Sequence, residues 1–158
     1  KGRMLSIEWL LMQDPREALP GDRPRLPDQE YPGLGLFRWQ GELLRLMATR
    51  LGCDGLMNNP AQFHNAVLYG RAMKFVDPVD EGRFRALERD LADLPLRDAS
   101  HAIAMDRVRE VDGGTLQWQG RPQVLGITLP IQAYFERDQY RSTVERIRDS
   151  TKFLVAVG

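Results

Sequence analysis

The sequence has little of what would set it apart from an ordinary folded domain, and each shortage excludes something. It holds one cysteine, Cys53; no internal disulfide can form, which argues against a stapled secreted scaffold and suits a reducing, cytoplasmic setting. No apolar run approaches the ~20 residues that cross a bilayer, and no apolar core precedes a small-residue cleavage site near the N-terminus, so membrane insertion is not expected. Net charge is also absent. Lys plus Arg and Asp plus Glu both number 22, so no global field steers the chain to nucleic acid or an anionic surface, and no nucleic-acid partner is expected. Only two histidines occur, His64 and His101. Neither has a Cys or His at ligand spacing, so no metal site is expected and both read as structural or surface residues. No Ser-His-Asp or Cys-His arrangement stands out, and there are no repeats. The chain opens on Lys1 rather than Met, which suits the C-terminal part of a longer product.

What is present fits one domain: 158 residues, 42% of them hydrophobic. From Met4 to Met12, alternation of Leu5, Ile7, Trp9 and Leu11 predicts an interior strand. Residues 13–32 carry five of the ten prolines, and the lost backbone donors exclude regular structure there. Leu36, Trp39 or Gln40, Leu43, Leu44, Met47 and Leu51 recur at three- and four-residue steps up to Gly52, which predicts a helix ended by a left-handed glycine. "CDGLM" predicts the next strand. Asn59 as cap and Pro60 at the first helical position then predict a helix from about Ala61 to Lys74. Further helices are expected around Phe84, Leu87 and Leu91, near Arg97 to Ala104, and over Ile131 to Ile147. "VREV" and "TLQW" flanking Asp112-Gly113-Gly114 predict a hairpin, and "QVLGITL" a strand. Asp90 and Asp93, and Asp77, Asp80 and Glu81, read as solvated or capping acids. Cys53 reads as buried and inert.

The order strand, glycine turn, helix, strand, helix over residues 4–75 is a βαβα unit with its two strands parallel. "LLMQDP", "EYPGLGLFRWQGELLRLMATRLGCDGLMNNP" and "FHNAVLYGRAMKFV" together resemble the coenzyme-binding half of the GNAT acyl-CoA N-acyltransferase superfamily, over about half the chain. The resemblance implies an α/β (α+β) fold: a mixed sheet with a central parallel strand pair flanked by helices, with residues 76–158 adding helices, a hairpin and a C-terminal extension. It implies acetyl-CoA as cofactor. The amides of Gly33, Leu34, Gly35 and Leu36 would meet the pyrophosphate at the positive end of the helix, backbone groups at Leu11 and Met12 would take the pantetheine arm, and Asn65 would bond it. Tyr69 would protonate the leaving thiolate.

The turn departs from the family pattern in two places. Glu30 stands where the family places a basic or amide residue, and Pro32 removes an amide ahead of the first glycine; both weaken phosphate binding, so weak coenzyme affinity is expected. The enlarged proline-rich loop is a third departure. Two functions follow: acyl transfer from acetyl-CoA to an amine whose identity the sequence leaves open, or a non-catalytic GNAT-like subunit that uses its surface to bind a protein partner in a larger assembly.

Overall fold

The computed structural model describes residues 2–8, 12–21 and 25–156. Six helices and six strands form among them, in a mixed α/β arrangement with parallel and antiparallel strand pairs. β1 (Met4–Ile7) leads through the proline-rich loop to α1 (Phe37–Arg50), β2 (Gly55–Asn58) and α2 (Phe63–Tyr69). β3 (Lys74–Phe75), α3 (Pro78–Asp90), α4 (Leu96–Ala104) and β4 (Val108–Glu110) follow. The chain ends with β5 (Gln123–Gly126), α5 (Leu129–Phe135), α6 (Asp138–Ser150) and β6 (Phe153–Val155).

The main sheet has the order β1-β2-β5-β3. β1 and β2 are parallel, Met4 opposite Gly55 through Ile7 opposite Asn58, as the βαβα reading requires, with α1 as the connection. The pair lies at one edge of the described sheet and not at its centre, and β1 is half-exposed rather than interior. It is also shorter than Met4 to Met12: Glu8 is already outside the ladder, and residues 9–11 lie outside the described residues. Leu5 and Leu56 pack with Leu44, Ala48 and Met73 on one face. Met4, Met57 and Val124 pack with α5 and α6 on the other. Period-two alternation in the strands thus feeds two separate apolar layers.

Four local expectations needed correction, each for a tertiary reason. Helix α2 begins at Phe63 behind Gln62, and Asn59 and Pro60 lie ahead of it, because Pro60 is fully buried and its carbonyl accepts the indole N–H of Trp118 at 3.1 Å. The helix stops at Tyr69 because Lys74 and Phe75 are taken into the sheet against β5. The expected hairpin shrinks to an isolated bridge between Arg109 and Thr115, since β4 ladders instead with the tail strand β6, whose Phe153 is 2% exposed. The last helical stretch breaks at Glu136–Arg137, which lets Tyr134, Phe135 and Tyr140 meet edge to face at 5.1–5.4 Å between ring centres. Gly52 does end α1, at φ +64°, and residues 12–21 and 25–32 hold no helix or strand.

The closest helix contact is α3 on α6. A Cβ at Gly82 would lie 2.7 Å from Ile147 Cβ and 2.8 Å from the Val144 carbonyl oxygen, so only glycine fits the crossing. Next to it, the buried carboxylate of Glu81 accepts the Phe75 N–H at 2.8 Å, and the Tyr140 hydroxyl donates to the Phe75 carbonyl at 2.6 Å. Gly82→Ala is expected to destabilise by about 1–3 kcal/mol, as overpacking does. Tyr140→Phe, which only deletes the hydroxyl, is expected to cost about 1–2 kcal/mol. Urea unfolding midpoints at constant slope measure both.

Candidate functional site

The proline-rich loop closes on itself. Leu34 N–H donates to the Met12 carbonyl at 3.0 Å and Asp14 N–H to the Pro32 carbonyl at 2.8 Å, around a bridge between Gln13 and Gly33. The Gln13 side-chain oxygen takes the Glu30 and Tyr31 amides as well. This holds the glycine turn at the N-terminus of α1, exposed from Gly33 to Leu36, with Gly35 at φ +69°. It also changes the donor set expected from the sequence. The Leu34 amide and the Met12 carbonyl satisfy each other, so neither is left for a ligand, whereas Gly33, Gly35 and Leu36 N–H have no backbone acceptor among the described residues. No side chain caps α1, and its first turn holds no acid. The orphan amides of a helix start therefore remain available there. Leu11 lies outside the described residues.

Behind the turn, α1 stands off the sheet. A cavity of about 350 Å³ opens between the inner face of α1 and the end of α2, floored by Ile7, Leu56 and Leu125 and walled by Phe37, Gly41, Leu44 and Met73. Gly41 faces open space, where a Cβ would meet nothing within 4 Å. Tyr69 projects into this cavity from the last turn of α2, its ring 5.5 Å from that of Phe37. The Tyr69 hydroxyl has no hydrogen-bond partner among the described residues, and burial raises its pKa, so the phenol stays protonated at neutral pH. Asn65 sits one helical turn earlier and is not among the lining residues. Of the residues singled out in the sequence, Tyr69 lines this cavity and the glycine turn lies at the start of α1. Phe37, Gly41, Leu44 and Met73 were not foreseen as its lining, the single available signal being a glycine in mid-helix.

The residues present fit acetyl-CoA in part. An apolar cavity of this size suits an acyl-pantetheine arm, and three turn amides with the start of α1 suit a phosphate. Glu30 is exposed in the same loop and offers no compensating cation. No family model matches the chain, and no curated protein or solved structure matches it. Among the described residues no helix is long and apolar enough to cross a membrane, and no group of three or more His, Cys, Asp or Glu is placed to hold a metal ion.

His101 and Gln62 pin the proline-rich loop, and His64 is buried beside them. His101 Nε2 lies 2.8 Å from the Arg25 carbonyl, and Gln62 beside His64 donates to Asp28, itself at φ 60°. His64 is 7% exposed and its Nδ1 has no partner among the described residues. Burial lowers its pKa, with Asp28 opposing and His101 adding to the effect. The unfolded imidazole takes a proton near pH 6.5 while the folded one resists it, so stability is full above that pH and declines as pH falls below it. Unfolding midpoints between about pH 5 and 8 should show this decline, and His64→Gln should flatten it.

Proposed function

We propose that the chain is a GNAT-like acyl-CoA-dependent N-acyltransferase, with the cavity behind α1 as the acyl site. The observation that carries the reading is one apolar cavity that joins the N-terminal half of α1 to an unpartnered, protonated tyrosine. The parallel β1–β2 pair with α1 between them supports it, since the described ladder ends at Ile7 and Asn58, on the side where the sequence continues to Met12 and to Pro60.

When bound, acetyl-CoA supplies an acyl group activated as a thioester. Gly33, Gly35 and Leu36 hold the phosphate end through backbone N–H groups, and the walls at Phe37, Leu44 and Leu56 exclude water from the acyl end. Tyr69 holds a proton on its phenol oxygen at the cavity wall, where it would be placed to supply that proton to a leaving thiolate, with the proton lost by the acylated amine returning to the phenolate. Most of the rate then comes from positioning, with the proton transfer adding about 100-fold or more.

A specific observation favours the alternative, a non-catalytic interaction subunit. The outer flank of α1 exposes Trp39 (75%), Leu43 (57%), Leu46, Met47 and Leu51, a stripe with no cover among the described residues. Arg38 and Arg50 accompany it, while Glu42 is spent on Arg45 at 2.7 Å. Such a face suits a protein partner that presents an apolar strip edged by acids.

Acetyl-CoA titration by calorimetry and thermal shift separates the two. Weak binding is expected, tightened by Glu30→Gln; coenzyme at 100 times its Kd adds ~2.7 kcal/mol to stability. Gly41→Leu fills the cavity and should abolish binding with the fold intact, and Tyr69→Phe should lower kcat by about 100-fold or more with affinity unchanged. If neither wild type nor Glu30→Gln binds at millimolar coenzyme, the enzyme reading fails. The assembly reading then predicts that Trp39→Ser with Leu43→Ser reduces the native complex to the mass of the free chain on size-exclusion chromatography.

A further inference from the structure

A second cleft lies away from the α1 cavity, between α3 and the segment that carries Leu116 to Arg121. Its volume is about 250 Å³. Trp118, Phe84, Leu87 and Leu116 supply its apolar wall, and Asp80 and Arg121 its charges, with Arg83 beside them. The apolar wall is rigid. Trp118 donates its indole N–H to the Pro60 carbonyl and meets Phe63 edge to face at 5.6 Å, while Phe84 packs on both Phe63 and Phe75.

Among the described residues, Asp80 and Arg121 form no ion pair at contact distance. Arg83 is committed to Glu110 by two hydrogen bonds of 3.0 and 2.7 Å. Among the described residues, Arg121 reaches only the neutral side-chain oxygen of Gln119, at 2.7 Å. Asp80 is half-buried, yet among the described residues its carboxylate has neither an ion pair within 4.0 Å nor a side-chain hydrogen bond. A carboxylate taken partly out of water with no partner costs stability. One acid and one uncommitted guanidinium thus flank a small aromatic wall.

We propose that this cleft binds a small zwitterion of the α-amino-acid type, its ammonium on Asp80, its carboxylate on Arg121 and its apolar side chain against Trp118 and Leu116. A simple cation would meet the repulsion of Arg121 and Arg83, and a simple anion that of Asp80; only a ligand that carries both charges satisfies both ends. One carboxylate is too few for a divalent metal. Burial, and then Asp77, raise the pKa of Asp80 against the pull of Arg121 and Arg83, as expected of an acid that awaits a counter-ion. The proposal is independent of the acyl-transfer reading, since it uses none of that site's residues.

The test is an ¹H–¹⁵N NMR titration of the whole chain with L-phenylalanine to about 10 mM, with phenethylamine and 3-phenylpropanoate as singly charged controls. Saturable shifts are expected at the Trp118 indole N–H and the Gln117 and Gln119 side-chain amides, and each control should bind at least about tenfold more weakly. Asp80→Asn should weaken phenylalanine binding about tenfold or more without lowering Tm, because it removes an unpaired, partly desolvated charge; an acid with only a structural role would lower Tm. Arg121→Gln, at an exposed side chain, should erase the preference for phenylalanine over phenethylamine. The absence of saturable shifts with phenylalanine would overturn the proposal. So would equal binding of the singly charged controls, or unchanged affinity in both variants.

Discussion

The peptide group of Phe75 is the point on which the rest of the molecule turns. β3 is two residues long and sits at an open sheet edge, its inner side paired to β5 with the Val76 amide on the Pro122 carbonyl. So short a strand offers too few ladder bonds to hold itself. Its outward N–H and C=O are met instead by Glu81 from α3 and Tyr140 from α6, two buried side chains that stand in for a missing strand. Arg85 completes the arrangement from one turn along α3, with its guanidinium on Glu81 at 2.8 Å. Gly82, between the two helices, lets them come close enough for both bonds to form at once.

From that junction the consequences run towards the α1 side. Anchoring β3 fixes the tight connection at 70–73, where Ala72 and Met73 amides both fold back onto the Tyr69 carbonyl. That connection forms one wall of the α1 cavity, and it fixes how far α2 runs and therefore where Tyr69 points. The opposite wall is far less constrained. α1 touches the sheet along Leu44 and Ala48, carries a glycine in its middle, and leaves most of its apolar surface uncovered. The densely packed half around Phe63, Phe75 and Phe84 supplies rigidity, and the sparsely packed half supplies space. Binding sites commonly sit where such a division leaves room over a rigid floor.

The two clefts use opposite physics. Behind α1, apolar walls surround a protonated phenol whose hydroxyl has no hydrogen-bond partner among the described residues. Beside α3, an aromatic wall carries an acid and a guanidinium that form no ion pair within 4.0 Å among the described residues, although Arg121 and Arg83 act on Asp80 through space. Tyr69 and Asp80 both owe their raised pKa first to burial, which favours the neutral phenol and disfavours the charged carboxylate. Uncompensated polar groups of this kind mark places where stability yields to binding.

The amino-acid order alone determined what depends on short-range periodicity and on backbone chemistry. The register of α1, its end at Gly52, the lack of regular structure among the described residues of the proline-rich loop, and the parallel β1–β2 pair all follow from apolar spacing, positive φ and missing amide donors. Glycine turn and tyrosine were legible for the same reason, because each belongs to a contiguous pattern. The tertiary structure alone decided the two-residue β3, the pairing of β4 with the tail, and the start of α2 behind buried Pro60. It also decided the unpaired state of Asp80, which in the linear chain is one more acid in the first turn of a helix. The first three rest on partners 43 to 58 positions apart in sequence, and only a closed three-dimensional account of buried hydrogen bonds and charges assigns these outcomes, since each buried donor or acceptor must find its partner wherever the fold brings one near.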